Sequence, residues 1–506
     1  MPKYKPVDFD QITMIPVDFN QQIIEGTFEH TLHHLIEERL DLSIFDHRYK
    51  NEKTGASAYN PKHLLKIILY AYSLGITSTR IIECLCKVHI IFIALSGDTR
   101  PHFTTLAKFV AQLPGEIEDL FADVLAVCDC LGLIGKEMFA IDGCKISSNA
   151  SKEWSGTKAH FEKKRKKMKE EAKRLLEKHT KDDEAEISGD SEIREAEEKR
   201  IQSMLKKIDK IETWLNENED KKGTRDNPIQ SNITDNDSGK LKTSGGTLQG
   251  YSAISISDDK HQVITAAGAI GQVDERPMVK PMLEQMQNHF PNENIFERSK
   301  FSGDSGFCSE DILEYLAENG IDAYIPDHLF RKRDERFKQA ERHYPKERTK
   351  TKGKFKPSDF IVDPLNLTCH CPAGKKMRLK SKHPKSVEMP VIQFMAYVSD
   401  CRSCRLRNQC LGSPDQINPR QYTWFQTESP GHHPYTKRMQ QKIDSESGRH
   451  EYSKRLATIE PVFANITSTI GLNRFGLRGR IKVTAQWMAF CIVHNIGKIQ
   501  RYGMAT

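Results

Sequence analysis

The sequence contains no apolar stretch long enough to cross a bilayer. The longest, "LLKIILYAYSLGI", falls short of the roughly 20 residues that a spanning helix needs, which excludes a membrane as partner. The opening segment "MPKYKPVDFDQIT" has no apolar signal core, so a cytoplasmic location is expected. A strong excess of one charge is missing too: 76 Lys+Arg against 69 Asp+Glu leave a net charge of +7, a weak pointer to an anionic partner. In a reducing compartment the 12 cysteines are not read as disulfides. Seven of them (Cys84, Cys86, Cys128, Cys130, Cys144, Cys308 and Cys491) sit in apolar contexts typical of buried thiols. With 506 residues, two to four domains with a sizeable core are expected.

From about residue 20 to 131 the pattern is helical. The Asn60-Pro61 pair starts "KHLLKIILYAYSL", Thr77 or Ser78 can cap "TRIIECLCKVHIIFIAL", and Thr104 can cap "TLAKFVAQL". Short helices with polar turns suit a helix-turn-helix DNA-binding module or a small packing domain. A predicted strand, "FAIDGCKI", follows, and then a Lys/Glu-dense arm. There Ile201, Met204, Leu205, Ile208, Ile211 and Leu215 recur at helical spacing, as in an antiparallel helical hairpin with its turn in "HTKDDEAEISGDSE". "GYSAISISDDKHQVITAAGAI" predicts a β-hairpin, after which strand, helix and strand patterns describe a mixed α/β sheet. Residues 331 to 356 are overwhelmingly basic with Phe337, Tyr344 and Phe355 interleaved. Lys350, Lys352, Lys354 and Lys356 in that stretch suit phosphate tracking, and a solvated loop is the alternative.

Three carboxylates interrupt apolar contexts: Asp142 in "FAIDGCKIS", Asp304 at the end of the short strand in "FSGDSGF", and Glu460 on a helix in "ATIEPVF". Crowded carboxylates repel unless a cation neutralises them, and hard oxygen donors left open to phosphates suit Mg²⁺ or Mn²⁺.

The order "AIDGCKI", "GYSAISISDDKHQVI", "GDSGF" and "YSKRLATIEPVFANI...RFGLRG" resembles the bacterial insertion-sequence DDE transposases, and the segment around "YNPKHLLKIILYAYSLGITSTRIIECLCKV" resembles their all-helical N-terminal domain. This resemblance implies an RNase H-like mixed-sheet core of the retroviral-integrase superfamily, interrupted by two insertions. It implies the following organisation: 1–131, an all-helical DNA-binding domain; 132–157, 226–330 and 446–506, three parts of the catalytic core; 158–225, the charged hairpin; and 331–445, a basic, cysteine-containing insertion. Catalysis is expected from Asp142, Asp304 and Glu460 holding two Mg²⁺ or Mn²⁺ ions, with Tyr452, Arg455, Arg478 and Arg480 on DNA. The expected partners are double-stranded DNA, as element terminal repeats and as target, and a second copy of the chain in the synaptic complex; the location is then nucleoid-associated. Hairpin-forming relatives carry Tyr, Arg, Glu and Lys at a fixed helical spacing. Here one extra residue, a turn of about 100°, separates Arg455 from Glu460, and Thr467 stands where a basic residue is expected. A catalytically inactive DNA-binding derivative and a structure-specific nuclease are the rival functions.

Cys369, Cys371, Cys401 and Cys404 form a CxC followed by CxxC that can supply four thiolates to a structural Zn²⁺, with Cys410 and His370 nearby; free surface thiols are the alternative.

Overall fold

The computed structural model describes residues 18–49, 57–184, 191–222, 228–243, 245–337, 355, 359–363, 366–382, 391–411, 416–425 and 434–503. The chain divides into two compact units, Met1–Pro326 with Ser445–Thr506, and Asp327–Asp444.

In the larger unit, helices occupy the first stretch. Helix α1 (Pro61–Ser73) starts as the sequence predicts, with the Asn60 side chain accepting from Lys62 N at 2.9 Å. The next apolar run is broken in two, α2 (Thr79–Val88) and α3 (Ile90–Ser96), because His89 takes an extended backbone between them. Helix α4 (Phe103–Gln112) is capped one turn position earlier than expected, by His102, whose ring accepts from Thr104 N. Helix α5 (Ile117–Cys130) completes the set.

Strand β1 (Met138–Ser147) opens a six-stranded sheet. After it comes the charged arm, α6 (Lys158–Glu184) and α7 (Ser191–Glu217). Its seam packs Ala172 and Leu175 against Ile201 and Met204, and Phe161 against Ile211 and Trp214. Leu205 is 47% exposed, since two helices in contact cover only a narrow stripe of each. The remaining strands are β2 (Gly239–Thr243), β3 (Gly246–Asp258), β4 (Ile264–Ile270), β5 (Lys300–Gly303) and β6 (Asp322–Tyr324), with α8 (Val279–His289) between β4 and β5 and α9 (Glu310–Glu318) between β5 and β6. In the sheet, β6, β5, β1, β3 and β2 are successive neighbours; β4 shares with β2 the far edge of the long strand β3. β1 runs antiparallel to β3 and parallel to β5, and β5 runs parallel to β6. The β3–β4 hairpin is the one the alternating pattern predicts.

In the smaller unit, β7 (Ile361–Asp363), β8 (Thr368–His370), β9 (Lys376–Lys382), β10 (Val391–Met395) and β11 (Gln421–Phe425) form an antiparallel five-stranded sheet in sequence order. Helices α10 (Val398–Arg402) and α11 (Arg407–Cys410) lie between β10 and β11, and α12 (Pro434–Asp444) ends the unit. A small core of Phe360, Cys369, Met377, Ile392 and Phe394 holds it together.

Returning to the larger unit, α13 (Glu446–Ala464) lies across the sheet and α14 (Arg480–Lys498) is buried nearly all round. Such a helix must satisfy neighbours on every side. Tyr72 of α1 stacks on Phe490 with ring centroids 4.7 Å apart, and Trp487 donates to Ile254 O at 2.9 Å. Asn495 bonds both backbone groups of Ile264 on the outer edge of β4, at 2.8 and 2.9 Å. An open strand edge is thereby closed.

Candidate active site

Asp142 sits midway along β1, opposite Ser255 of β3, and its neighbour Ile141 lies beside Gly303 of the parallel strand β5. Asp304 follows Gly303 directly. Two carboxylates 162 positions apart are thus set side by side where β5 ends against the middle of β1. Asp304 Oδ1 accepts from Gly306 N at 2.8 Å as it starts a short 3₁₀ turn, which fixes its backbone. Asp142 Oδ1 accepts from Gly143 N at 2.7 Å.

The other oxygen of Asp142 is engaged by α13. Arg455 Nη1 donates to Asp142 Oδ2 at 2.7 Å, with the Arg455 side chain 7% exposed. Burial pushes the Asp142 carboxyl above its ordinary range; the Arg455 guanidinium and the Gly143 amide oppose that, and the charge of Asp304 adds to it.

A third carboxylate stands beside these two, and it is Glu275, from the loop after β4. A side chain on Gly143 would meet the Glu275 carboxylate at 3.0 Å, so the glycine leaves the room this acid occupies. Burial raises the Glu275 carboxyl; a hydrogen bond with Ser252 counters this, and the charges of Asp142 and Asp304 reinforce it. Nothing in the local pattern of "GQVDERPM" singles out this glutamate: a loop, not a strand register, carries it there.

Glu460 lies on the exposed side of α13. The face that packs inward is Arg455, Ile459 and Val462, and five residues of helix turn Glu460 about 140° away from Arg455. Among the described residues no group of three or more His, Cys, Asp or Glu side chains is close enough to hold a metal ion. Glu451, also on α13, is neutralised by Lys300 at 3.1 Å and Lys454 at 2.9 Å.

Of the residues expected on DNA, Arg455 is buried against Asp142, while Arg478 and Arg480 are exposed. Arg478 Nε donates to Asn149 O at 2.8 Å, and it joins Arg474, Lys152, Trp154 and Ser148 around a cleft of about 470 Å³ just past the end of β1. The loop that carries Arg478 is held by Gln486, whose Oε1 accepts from Gly476 N and Leu477 N at 3.0 and 3.2 Å. Tyr452 is near enough to Arg455 to influence its charge. Lys350, Lys352, Lys354 and Lys356 lie outside the described residues, as does Tyr344. Nearer the start of that basic stretch, Arg333 pairs with Asp327 and Asp444, and Arg336 pairs with Asp334, so part of its charge is neutralised within its own unit.

The cysteines depart from expectation in two ways. All twelve are free thiols, but Cys84 and Cys130 are exposed while Cys86, Cys128 and Cys491 are buried. An apolar neighbourhood in sequence fixes burial only when the residue also falls on the packed face of its helix. In the cysteine-rich unit, Cys369 is fully buried in the core with its thiol 3.7 Å from Met377 Sδ, and Cys371 and Cys401 pack against that core from its partly exposed side. Cys371, Cys401, Cys404 and Cys410 instead line one small cavity.

The chain matches two family models, a transposase DDE domain over residues 370–500 and a transposase domain (DUF772) over residues 17–112. Both matches support an insertion-element DDE transposase. No curated protein and no solved structure matches the chain. The matched segments contain α1 to α4, strands β9 to β11 of the cysteine-rich sheet, α13 and α14, but neither Asp142 nor Asp304. The pairing of those two acids is therefore an observation independent of the family match. Among the chain's described residues no helix is long and apolar enough to cross a membrane.

Proposed function

We propose that this transposase cuts DNA at the ends of its own element and joins those ends to target DNA, by phosphodiester hydrolysis followed by transesterification. The observation that carries the reading is the placement of Asp142, midway along β1, beside Asp304, just past the end of its parallel neighbour β5. The strand order, antiparallel β4, β3 and β1 continued by parallel β5 and β6, with β2 added on the edge of β3, is that expected of an RNase H-like core, with the charged hairpin and the cysteine-rich unit as its two insertions.

The donor set suits a hard divalent cation. Hard carboxylate oxygens are the donors such ions prefer; burial chiefly raises Asp142 and Glu275, and the smaller part that neighbouring carboxylates add is what a cation would relieve. Asp142 and Asp304 would hold Mg²⁺ or Mn²⁺, two ions in the full site, with Glu460 as the third carboxylate. Glu460 makes no ion pair among the described residues and so keeps its charge available, in contrast to Glu451. When bound, such ions activate the attacking hydroxyl of water or of a DNA 3′-end and stabilise the leaving oxygen. Arg455 orients Asp142 by holding one of its oxygens. Arg474 and Arg478, on the cleft past β1, and Arg480 would fix the DNA backbone by contacts that carry no sequence information, and Tyr452 and the lysines at 350, 352, 354 and 356 would each add a further contact to DNA. Two ends must be cut together, which calls for a homodimer.

Strand-specific cleavage mapping on duplexes bearing the native element's ends tests the reading. Metal-dependent nicks confined to the element boundary are expected; cleavage of random duplex at the same rate would indicate a general nuclease, and binding without cleavage an inactive derivative.

A further inference from the structure

Four thiols of the smaller unit converge on one cavity. Cys371 lies on the tight turn after β8, where its N–H donates to Lys375 O at 2.9 Å and its carbonyl accepts from Gly374 N at 2.8 Å; Gly374 takes the left-handed conformation (φ +74°) that closes the turn. Cys401 is on α10, Cys404 just beyond it, and Cys410 ends α11. Two arginines hold the backbone around them: Arg407 Nη1 donates to Cys401 O at 2.8 Å, Arg407 N to Cys404 O at 3.1 Å, and Arg420 Nη1 to Cys410 O at 3.2 Å. The cavity between them has a volume of about 30 Å³, enough for an ion and too small for an organic ligand.

We propose that Cys371, Cys401, Cys404 and Cys410 form a tetrathiolate site for a structural Zn²⁺, with Cys369 excluded. The inference goes beyond the cleavage reaction, since the site belongs to a different unit from the two aspartates. Each element of the geometry favours it. Two ligands come from a CxxC on one short helical turn and one from the opposed tight turn, which is how two separate loops are tied by one ion. In this unit of few buried apolar residues a metal adds stability that a small core cannot supply. Among the described residues no three such side chains are close enough to hold an ion as they stand, so zinc binding would draw these sulfurs inward to roughly 2.3 Å. Cys369 fails as a ligand because strand β8 turns its side chain into the core against Met377, while the chain leaves the strand before Cys371.

The test is metal analysis of the full-length protein purified without chelator, together with single Cys→Ser variants. The expected result is about one zinc per chain in the natural protein and in Cys369→Ser, and at least a tenfold loss in Cys371→Ser and Cys410→Ser. Should those two variants fail to fold, titration of the natural protein with a mercurial reagent decides: zinc must leave as about four thiols react. Replacement by Co²⁺ should give the intense visible bands of a tetrahedral thiolate complex. Zinc-free protein that also takes up no Co²⁺, or loss of zinc from Cys369→Ser with retention in Cys410→Ser, would overturn the assignment.

Discussion

Arg455 and Asp142, 313 positions apart, meet with Nη1 and Oδ2 at 2.7 Å, and this contact ties α13 to the middle of β1. It makes the helix both a structural brace and part of the acidic site. Removing one partner leaves the other buried without compensation. Arg455→Met should therefore destabilise the protein by roughly 3 kcal/mol, the low end for a broken buried pair because the Asp142 side chain is 21% exposed. Asp142→Asn should cost less, since the amide oxygen still accepts from Arg455. Urea unfolding of both and of the double variant gives the coupling: the double variant should lose clearly less than the sum of the two singles, and strict additivity would show that the pair contributes nothing.

The third acid is decided by comparing Glu460→Gln with Glu275→Gln. Glu460→Gln should bind element ends yet lose cleavage and joining at least a hundredfold, because charge stabilisation by a bound metal is worth several kcal/mol. Glu275→Gln should keep most of its turnover when metal is saturating. The opposite pattern would place Glu275, and not Glu460, beside Asp142 and Asp304 in catalysis.

Stability of the metal-free protein should fall as pH rises through the window just above the ordinary carboxylate range. The sign follows from Asp142 and Glu275, whose folded values lie above their unfolded ones: the folded state holds these protons more tightly, so the native state is favoured while they are bound and loses that advantage as pH climbs through the raised values. Glu275→Gln should flatten this slope, read from denaturant midpoints between about pH 4 and 7. A steeper slope in the variant would contradict the burial and repulsion assigned to it.

Replacing Lys350, Lys352, Lys354 and Lys356 with Gln should weaken binding to all duplexes alike and flatten the salt dependence, by up to about 0.9 in the slope of log affinity on log salt for each phosphate no longer neutralised. An unchanged slope would remove this segment from the DNA surface.

The sequence by itself determined five of the six strands of the sheet and the places of its two aspartates, but not β2, whose pairing with the start of β3 no alternating apolar run announces. An apolar run with one carboxylate, next to a hairpin of alternating Ile and Ser, leaves few options for β1 and β3; Asn60-Pro61 starts α1 for reasons held within one turn of chain. Local chemistry also misled where a neighbour competes: His102 took the cap expected of Thr104, and the extended backbone at His89 split a run that periodicity alone continues. The tertiary structure decided everything that rests on which faces meet. It turned Arg455 onto Asp142 and Glu460 outward, brought Glu275 to the aspartates on a loop, and sent Cys369 into a core while Cys410 joined Cys371, Cys401 and Cys404. Spacing fixes the angle between two side chains on one helix or strand. The direction in which that element is rotated against its neighbours is set by burial of its apolar face, which involves residues hundreds of positions away.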